Sequence, residues 1–159
     1  MTAQDIEIRA ATTADVPAIV DLYYALSLED ARQRDPSVDL GWAGEHGVEH
    51  FTQLVTGEAS VCFVAQSDQA TIGYLAGYTY GPSDFRPIKV AELQSMFVQA
   101  PWRGRQYGAQ LVEAFVAWAR GQGATRMQVT AYAANQRAIA FYQRVGFAPH
   151  QLTFERTLI

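Results

Sequence analysis

The residues best suited to hold a charged ligand form a short turn, Val98 to Gly108, with the sequence V-Q-A-P-W-R-G-R-Q-Y-G. The turn follows a largely apolar, strand-like run and precedes apolar residues at helical spacing. Glycine lets backbone N–H groups approach a ligand, and a helix N-terminus presents unpaired N–H groups with about half a positive charge. With the guanidinium groups of Arg103 and Arg105 nearby, this turn predicts a site for a small phosphate-bearing anion.

Two other patterns could carry chemistry, and each has a plainer explanation. His46, Glu49 and His50 fit the H-x-x-E-H arrangement of some zinc sites. No convincing third ligand follows, and the intervening glycine weakens a helix. We therefore expect no metal and place the histidines at the solvent side or at a substrate cleft. Cys62 could carry an acyl group, but its apolar neighbours favour a small core residue.

Composition and charge restrict the class of protein. The chain has 159 residues, 18% of them charged, a net charge of −4 and one cysteine. This length predicts a single domain over residues 1–159 with a sizeable core. The acidic balance disfavours a nucleic-acid binder, which normally carries a basic stripe. No apolar run approaches the ~20 residues that span a bilayer, the N-terminus does not resemble a signal peptide, and an internal disulfide is excluded. We expect a cytoplasmic protein that binds neither membranes nor nucleic acids.

Hydrophobic periodicity predicts an α/β fold with a mixed central sheet flanked by helices. The predicted helices cover residues 16–26, 45–56, 107–120 and 134–144. The predicted strands cover residues 6–9, 60–66, 71–80, 89–98 and 125–131, with one or two more over 147–159. The polar stretch 29–44 is expected to be a loop. Alternation in the third strand predicts one shared face for Ile72, Tyr74, Ala76, Tyr78 and Tyr80.

A second segment, taken together with the turn, indicates a protein family. Residues Asn135 to Phe147 read N-Q-R-A-I-A-F-Y-Q-R-V-G-F. This segment resembles the Asn-x-x-Ala-x-x-Phe/Leu-Tyr…Gly-Phe pattern of the GNAT superfamily of acyl-CoA N-acyltransferases. The turn is similar to the pyrophosphate loop of that family, Arg/Gln-x-x-Gly-x-Gly/Ala. The predicted element order fits the family from Ile6 onwards, so the resemblance implies a GNAT-like domain with a mixed, mostly antiparallel sheet.

The resemblance implies acetyl-CoA as co-substrate and no metal. Loop amides would bind the pyrophosphate, the strand before the loop would pair with the pantetheine arm, and Asn135 would help to hold that arm or cap its helix. The cofactor-binding residues so implied are Met96, Phe97, Val98, Arg103, Gly104, Arg105, Gln106, Tyr107, Gly108 and Asn135.

Gln106 departs from the family pattern, which has glycine at this position. A positive φ would cost glutamine about 1 kcal/mol relative to glycine, whereas a helical φ would cost little. Because Gln106 precedes a predicted helix directly, we expect the helical conformation and retained cofactor binding.

The resemblance also implies two catalytic residues. Tyr142 would be the general acid, since a phenol with a pKa near 10 is protonated at neutral pH and can donate to a leaving thiolate. Its alternative role is core packing. Glu92 would be the base that takes a proton from the acceptor amine, directly or through water. Its alternative is an ion pair within the sheet.

The implied reaction is direct attack of a primary amine on the acetyl thioester, with a backbone amide near Val98 stabilising the oxyanion. Acidic and aromatic residues in the first two helices and their loop favour a small cationic acceptor. Tyr78 and Tyr80 either line its pocket or pack in the sheet. A protein or peptide acetyltransferase and a non-catalytic CoA sensor remain alternatives, and the C-terminal strand would suit a homodimer. The acceptor residues so implied are Tyr23, Tyr24, Glu29, Asp30, Asp39, Trp42 and Glu45.

Overall fold

Within residues 5–159, which the computed structural model describes, five strands lie side by side in chain order. The first four residues of the predicted domain lie outside this range. Neighbouring strands are antiparallel from β1 to β4, whereas β4 and β5 are parallel. The parallel pair requires a crossover, which a helix supplies. The strands are β1 (Glu7–Ala10), β2 (Ser60–Gln66), β3 (Thr71–Tyr80), β4 (Val90–Val98) and β5 (Arg126–Val129).

Helices cover both faces of this sheet. One buried cluster joins α1 and α2 to the sheet through residues such as Ile19, Phe51 and Tyr74. The other joins α3 and the opposite sheet face through Leu75, Leu93 and Phe115, among others. The predicted α/β fold with a mixed, mostly antiparallel sheet is confirmed. The helices of the described residues are α1 (Val16–Gln33), α2 (Trp42–Thr56), α3 (Tyr107–Gly121) and α4 (Gln136–Arg144).

The predicted loop over residues 29–44 is wrong at both ends. Helix α1 continues to Gln33, and an i,i+4 ion pair between Arg34 and Asp30, 2.7 Å long and largely buried, holds its last turn. Helix α2 begins at Trp42 because Asp39 accepts a hydrogen bond from the amide of Gly41 and turns the chain into the helix. The polar composition of residues 29–44 did not reveal these two local interactions.

Two strand predictions are also wrong. The register of β2 and β3 shifts next to Ala65, so Ile72 packs on the α3 side while Tyr74 packs on the α1–α2 side. A bulge of this kind moves a side chain to the other face. Residues 148–159 form no strand and are exposed, because no strand of the described chain pairs with them.

Among the described residues, no helix combines the length and the apolar character needed to cross a bilayer.

Candidate active site

Strand β5 pairs along its whole length with only the first part of the parallel strand β4. Val90 to Leu93 pair with Arg126 to Val129, and no described residue pairs with this edge of β4 beyond Leu93. The other edge remains paired with β3 as far as Val98. Residues 94–98 therefore present backbone groups to the space between β4 and the chain that follows β5. Such an edge can pair with an extended ligand that carries amide groups of its own.

A bulge modifies β4 at the point where the pairing with β5 ends. The register with β3 shifts between Ala76 and Gly77, which leaves Gln94 without a residue opposite it. The side-chain Oε1 of Gln94 lies 2.9 Å from Nε2 of His50 on α2. Sequence reasoning missed Gln94, although a polar residue within an apolar strand was a usable signal. Bulges often lie next to active sites, where they redirect side chains.

The loop after β4 has an unusual backbone. A short 3-10 turn, Ala100–Trp102, is followed by Gly104 with φ of 74° and Gln106 with φ of 68° and ψ of 8°. The expected helical conformation of Gln106 is therefore wrong. Gln106 is the N-cap of α3, where the backbone lies outside the helix, and it is the sole non-glycine residue with positive φ among residues 5–159. Left-handed residues in a turn direct successive N–H groups to one side, which creates a concavity for an anion.

The side chain of Arg103 is held within the protein. Its Nε donates to the carbonyl oxygen of Val98 at 2.7 Å, its Nη2 donates to Glu29 Oε1 at 2.9 Å, and its guanidinium lies 5.0 Å from the ring centre of Phe97. Glu29 also lies 3.6 Å from Arg137 on α4. Glu29, expected at the acceptor pocket, thus links α1 to the turn and to α4. The guanidinium of Arg105, by contrast, lies over the Trp102 ring on the exposed part of the loop.

Gly108 brings three of the predicted segments together. A Cβ atom at this position would lie 3.3 Å from the ring of Phe141 on α4 and 3.7 Å from the methyl group of Met96 on β4. The lack of a side chain therefore allows α3, α4 and β4 to approach closely. The turn, the strand edge and the Asn135 segment are neighbours in the fold.

Asn135 is a helix cap in this structure. Its side-chain Oδ1 accepts a hydrogen bond from the amide of Ala138 at 3.1 Å, which satisfies one of the unpaired N–H groups at the start of α4. The helix-capping role predicted for Asn135 is confirmed.

Tyr142 packs in an aromatic cluster on α4. Its ring lies 5.3 Å from that of Phe141 and 5.6 Å from that of Phe147. Burial, and secondarily the charge of Asp30, raises the pKa of Tyr142 to about 12. The phenol is therefore protonated across the physiological range. A protonated phenol can donate a hydrogen bond.

Glu92 lies on β4 between Tyr78 on β3 and Gln128 on β5. Its Oε2 is shielded from solvent and has no hydrogen-bond partner among the described residues. Burial raises the pKa of Glu92 above its ordinary value, and interaction with Gln128 offsets part of the rise. The charge of Glu92 in turn helps to raise the pKa of Tyr78, after burial. A carboxylate with an unused oxygen and a raised pKa is suited to accept a proton.

Aromatic side chains surround Trp42 at the start of α2. The ring of Trp42 lies 5.3 Å from Tyr23, 5.7 Å from His46 and 5.2 Å from His50. Trp42 and the two histidines line an open groove of about 250 Å³ together with Glu49. His46 and His50 therefore share one face of α2. Across residues 5–159, no three His, Cys, Asp or Glu side chains converge as a metal site would require.

Cys62 is a core residue on β2. It is 1% exposed, and burial raises the pKa of its thiol to about 12. A buried, protonated thiol cannot act as an acyl carrier.

Residues 22–147 match the model of the Acetyltransferase (GNAT) family. The chain belongs to this family. The predicted enzyme class, an acyl-CoA-dependent N-acetyltransferase, agrees with this membership.

Two curated relatives share about the same level of identity. An L-methionine sulfoximine/L-methionine sulfone acetyltransferase of Pseudomonas aeruginosa is 29% identical over 149 residues, which cover 88% of this chain and 78% of that protein. An uncharacterised N-acetyltransferase of Methanocaldococcus jannaschii is 28% identical over 98 residues, covering 62% of this chain and 43% of that protein. The chain thus spans less than half of the archaeal relative.

Solved structures show the same fold at lower identity. A mutant of the BH1408 protein from Bacillus halodurans superposes with a TM-score of 0.82 at 21% identity, covering 96% of this chain and 99% of that one. An aminoglycoside N-acetyltransferase in complex with CoA superposes with a TM-score of 0.75 at 18% identity, covering 99% and 97%.

Proposed function

We propose that this chain transfers the acetyl group of acetyl-CoA to the primary amine of a small cationic molecule, by direct attack while both are bound. The observation that carries the proposal is the unpaired edge of β4 at residues 94–98, which leads directly into the left-handed turn before α3. An unpaired strand edge followed by an anion-binding concavity suits a molecule with amides in its arm and a pyrophosphate beyond them.

Cofactor binding would use the residues implied by the family motif. Backbone groups of Met96, Phe97 and Val98 would pair with the arm, with Asn135 close to it. Because the side chain of Arg103 is committed to Glu29 and Val98, its backbone rather than its guanidinium would contact the pyrophosphate. The amides expected to contribute are those of Arg103, Gly104, Arg105, Gln106, Tyr107 and Gly108.

Bound acetyl-CoA supplies the acetyl group as a thioester. Glu92 would take a proton from the acceptor ammonium, directly or through water, and so expose the amine lone pair. Tyr142 would donate its phenolic proton to the leaving sulfur. A backbone amide near Val98 would stabilise negative charge on the thioester oxygen. We expect Tyr142→Phe to lower kcat far more than it lowers acetyl-CoA affinity, because the phenyl ring preserves the packing against Phe141 and Phe147.

The charges that remain available support a cationic acceptor. Glu29 and Asp30 are engaged by Arg103 and Arg34, so their charges are offset. Glu49 lines the groove next to the Trp42 ring, and Glu45 lies beside His46. A carboxylate beside an aromatic face favours a cation. The curated Pseudomonas relative is named for amino-acid derivatives, which supports an amino acid or a similar small amine as acceptor.

The deciding experiment measures free thiol release from acetyl-CoA against a panel of amino-acid derivatives, polyamines, aminoglycosides and peptides. Steady turnover with a small amine supports the proposal, and turnover with peptides alone supports the peptide alternative. A rise in melting temperature with acetyl-CoA but no turnover would indicate a CoA-binding sensor. No thermal shift with acetyl-CoA would overturn the cofactor assignment.

A further inference from the structure

The connection between β3 and β4 places an arginine against the sheet. Within a turn over residues 83–86, the amide of Arg86 donates to Ser83 Oγ at 3.1 Å, and the amide of Ser83 donates to the carbonyl oxygen of Arg86 at 3.0 Å. The half-buried side chain of Arg86 reaches β5, where its Nη1 lies 3.4 Å from Oε1 of Gln128. The hydrogen bonds of the turn therefore hold a guanidinium beside the last strand of the sheet.

Gln128 connects this arginine to the surroundings of Glu92. Residues paired in a sheet register point to the same side, so Tyr78, Glu92 and Gln128 share one face across β3, β4 and β5. The Nε2 group of Gln128 also donates to the hydroxyl oxygen of Tyr80 at 2.8 Å. The side-chain amide of Gln128 thus contacts Arg86 and is the direct neighbour of Glu92.

Arg86 and Glu92 carry opposite charges but do not pair with each other. None of the ion pairs within residues 5–159 includes either residue. A guanidinium has five N–H donors, and one of those of Arg86 is directed to Gln128. Oε2 of Glu92 is shielded from solvent and has no hydrogen-bond partner among the described residues. A cation and an anion with unused hydrogen-bonding capacity suit a ligand that carries both charges.

We propose that the acceptor is an α-amino acid, whose carboxylate binds to Arg86 while its ammonium group meets Glu92. Two N–H groups of a guanidinium match the two oxygens of a carboxylate, which makes arginine well suited to this contact. One carbon atom separates the two charged groups of the ligand, and one side-chain amide separates the two charged residues of the protein. The inference rests on the proposed function, in which Glu92 is the base, and adds Arg86 as the residue that selects for a carboxylate.

Tyr78 and Tyr80 form the wall of this site on β3. Their ring centres lie 6.2 Å apart, and Tyr80 is 38% exposed. Aromatic rings beside a carboxylate favour a ligand ammonium group. Of the two roles that the sequence left open for these tyrosines, the inference assigns the lining of the acceptor site.

The first test compares amino acids with their carboxamides as acetyl acceptors. The carboxamide keeps the amine and the side chain but removes the negative charge. The proteinogenic amino acids that have a primary amine, and their carboxamides, are assayed by thiol release from acetyl-CoA. We expect kcat/KM of the best amino acid to exceed that of its carboxamide roughly tenfold or more, as expected for hydrogen bonds between charged groups.

Variants of Arg86 assign this preference to one residue. Arg86→Gln should remove it by raising KM for the amino acid more than for the carboxamide, and Arg86→Lys should restore part of it. Each preference is compared between protein variants, so the different basicity of the two amines cancels. The matched control Arg120→Gln removes an exposed arginine on α3, which covers the other face of the sheet, and should keep the natural preference. Equal rates with amino acids and carboxamides in the natural chain, or a preference that survives Arg86→Gln, would overturn the inference.

A binding measurement separates this inference from the proposed function. Calorimetric titration of the CoA-bound protein with the same amino acids and carboxamides measures the preference without turnover. Amino-acid binding that Arg86→Gln abolishes, together with no acetyl transfer to any amine, would support the site and reject the transferase. Turnover with polyamines or aminoglycosides, with neither binding nor turnover of amino acids, would reject the site and leave the transferase in place. Absence of amino-acid binding and of all turnover would reject both.

Discussion

At the scale of single residues, Glu92 is the side chain that we propose as the base, and it has a buried oxygen without a partner among the described residues. A buried carboxylate oxygen without a partner destabilises the fold, because burial disfavours its charge. Proteins retain such groups where activity requires them. The cost of burying the Glu92 charge is therefore consistent with the role that we propose for this residue as a base.

We predict that Glu92→Gln lowers kcat/KM by about 10²–10⁴ without lowering the melting temperature. The base acts only when ionised, and its pKa is raised from 4.5. Activity of the natural enzyme should therefore fall as the pH drops through that raised value, and the variant should lose this acidic limb. Burial penalises the ionised form at neutral pH, so removing the charge should maintain or raise the melting temperature. Unchanged turnover would exclude Glu92 as the base.

Gln106 shows how a residue can be identified correctly and its conformation predicted wrongly. The sequence marked it as the departure from the family pattern, but its proximity to a helix suggested helical angles. It is instead the N-cap, just outside α3, and its φ is 68°. Helix boundaries depend on local hydrogen bonds that composition does not reveal.

We predict that Gln106→Gly melts about 2–4 °C above the matched variant Gln99→Gly, as expected for a difference of about 1 kcal/mol in a chain of this size. Gln99 is an exposed glutamine in the same loop, with φ of −56°. Both variants add the same freedom to the unfolded chain, so the comparison isolates the strain at Gln106. Equal melting temperatures would show that the left-handed conformation is not strained.

At the scale of elements, hydrophobic periodicity and helix caps predicted which segments form helices and strands. They did not predict the features that depend on pairing between residues distant in the pattern, such as strand register and helix ends. The alternation of β3 located the strand but not the register shift that moves Ile72 to the other face. The end of α1 depended on the pairing of Arg34 with Asp30. The pattern over residues 147–159 indicated one or two strands, yet a strand forms only where a partner edge is present. The motif turn, the Asn135 cap and the α3 and α4 segments were local features and were placed nearly correctly.

The close approach of α3 and α4 yields a prediction at this scale. Gly108→Val places a branched side chain against Phe141 and Met96, so α4 should shift. Because such overpacking costs about 1–3 kcal/mol, acetyl-CoA affinity should fall roughly tenfold. Gly121→Ala on the same helix meets nothing within 4 Å and should leave affinity unchanged. Calorimetric titration with CoA measures both. Normal affinity in Gly108→Val would show that this contact does not shape the cofactor site.

At the scale of the whole molecule, β5 pairs with only the first part of β4, and helices cover both faces of the sheet. The α1–α2 face carries the aromatic groove around Trp42, while α3 and α4 flank the opposite face. The unpaired half of β4 contacts both layers, through Phe97 on one face and through Met96 and Val98 on the other. An arrangement with access from two sides suits a reaction in which both substrates are bound at once.

This architecture predicts sequential kinetics. The single cysteine of the chain is buried with a pKa of about 12, so no reactive thiol can carry the acetyl group between two half-reactions. Initial rates measured against both substrates should give intersecting double-reciprocal lines. Cys62→Ala should retain turnover. Mass spectrometry after incubation with acetyl-CoA alone should show no covalent acetyl adduct in the active site. Parallel lines, together with an acetylated residue that is discharged by amine, would replace direct attack with a covalent mechanism.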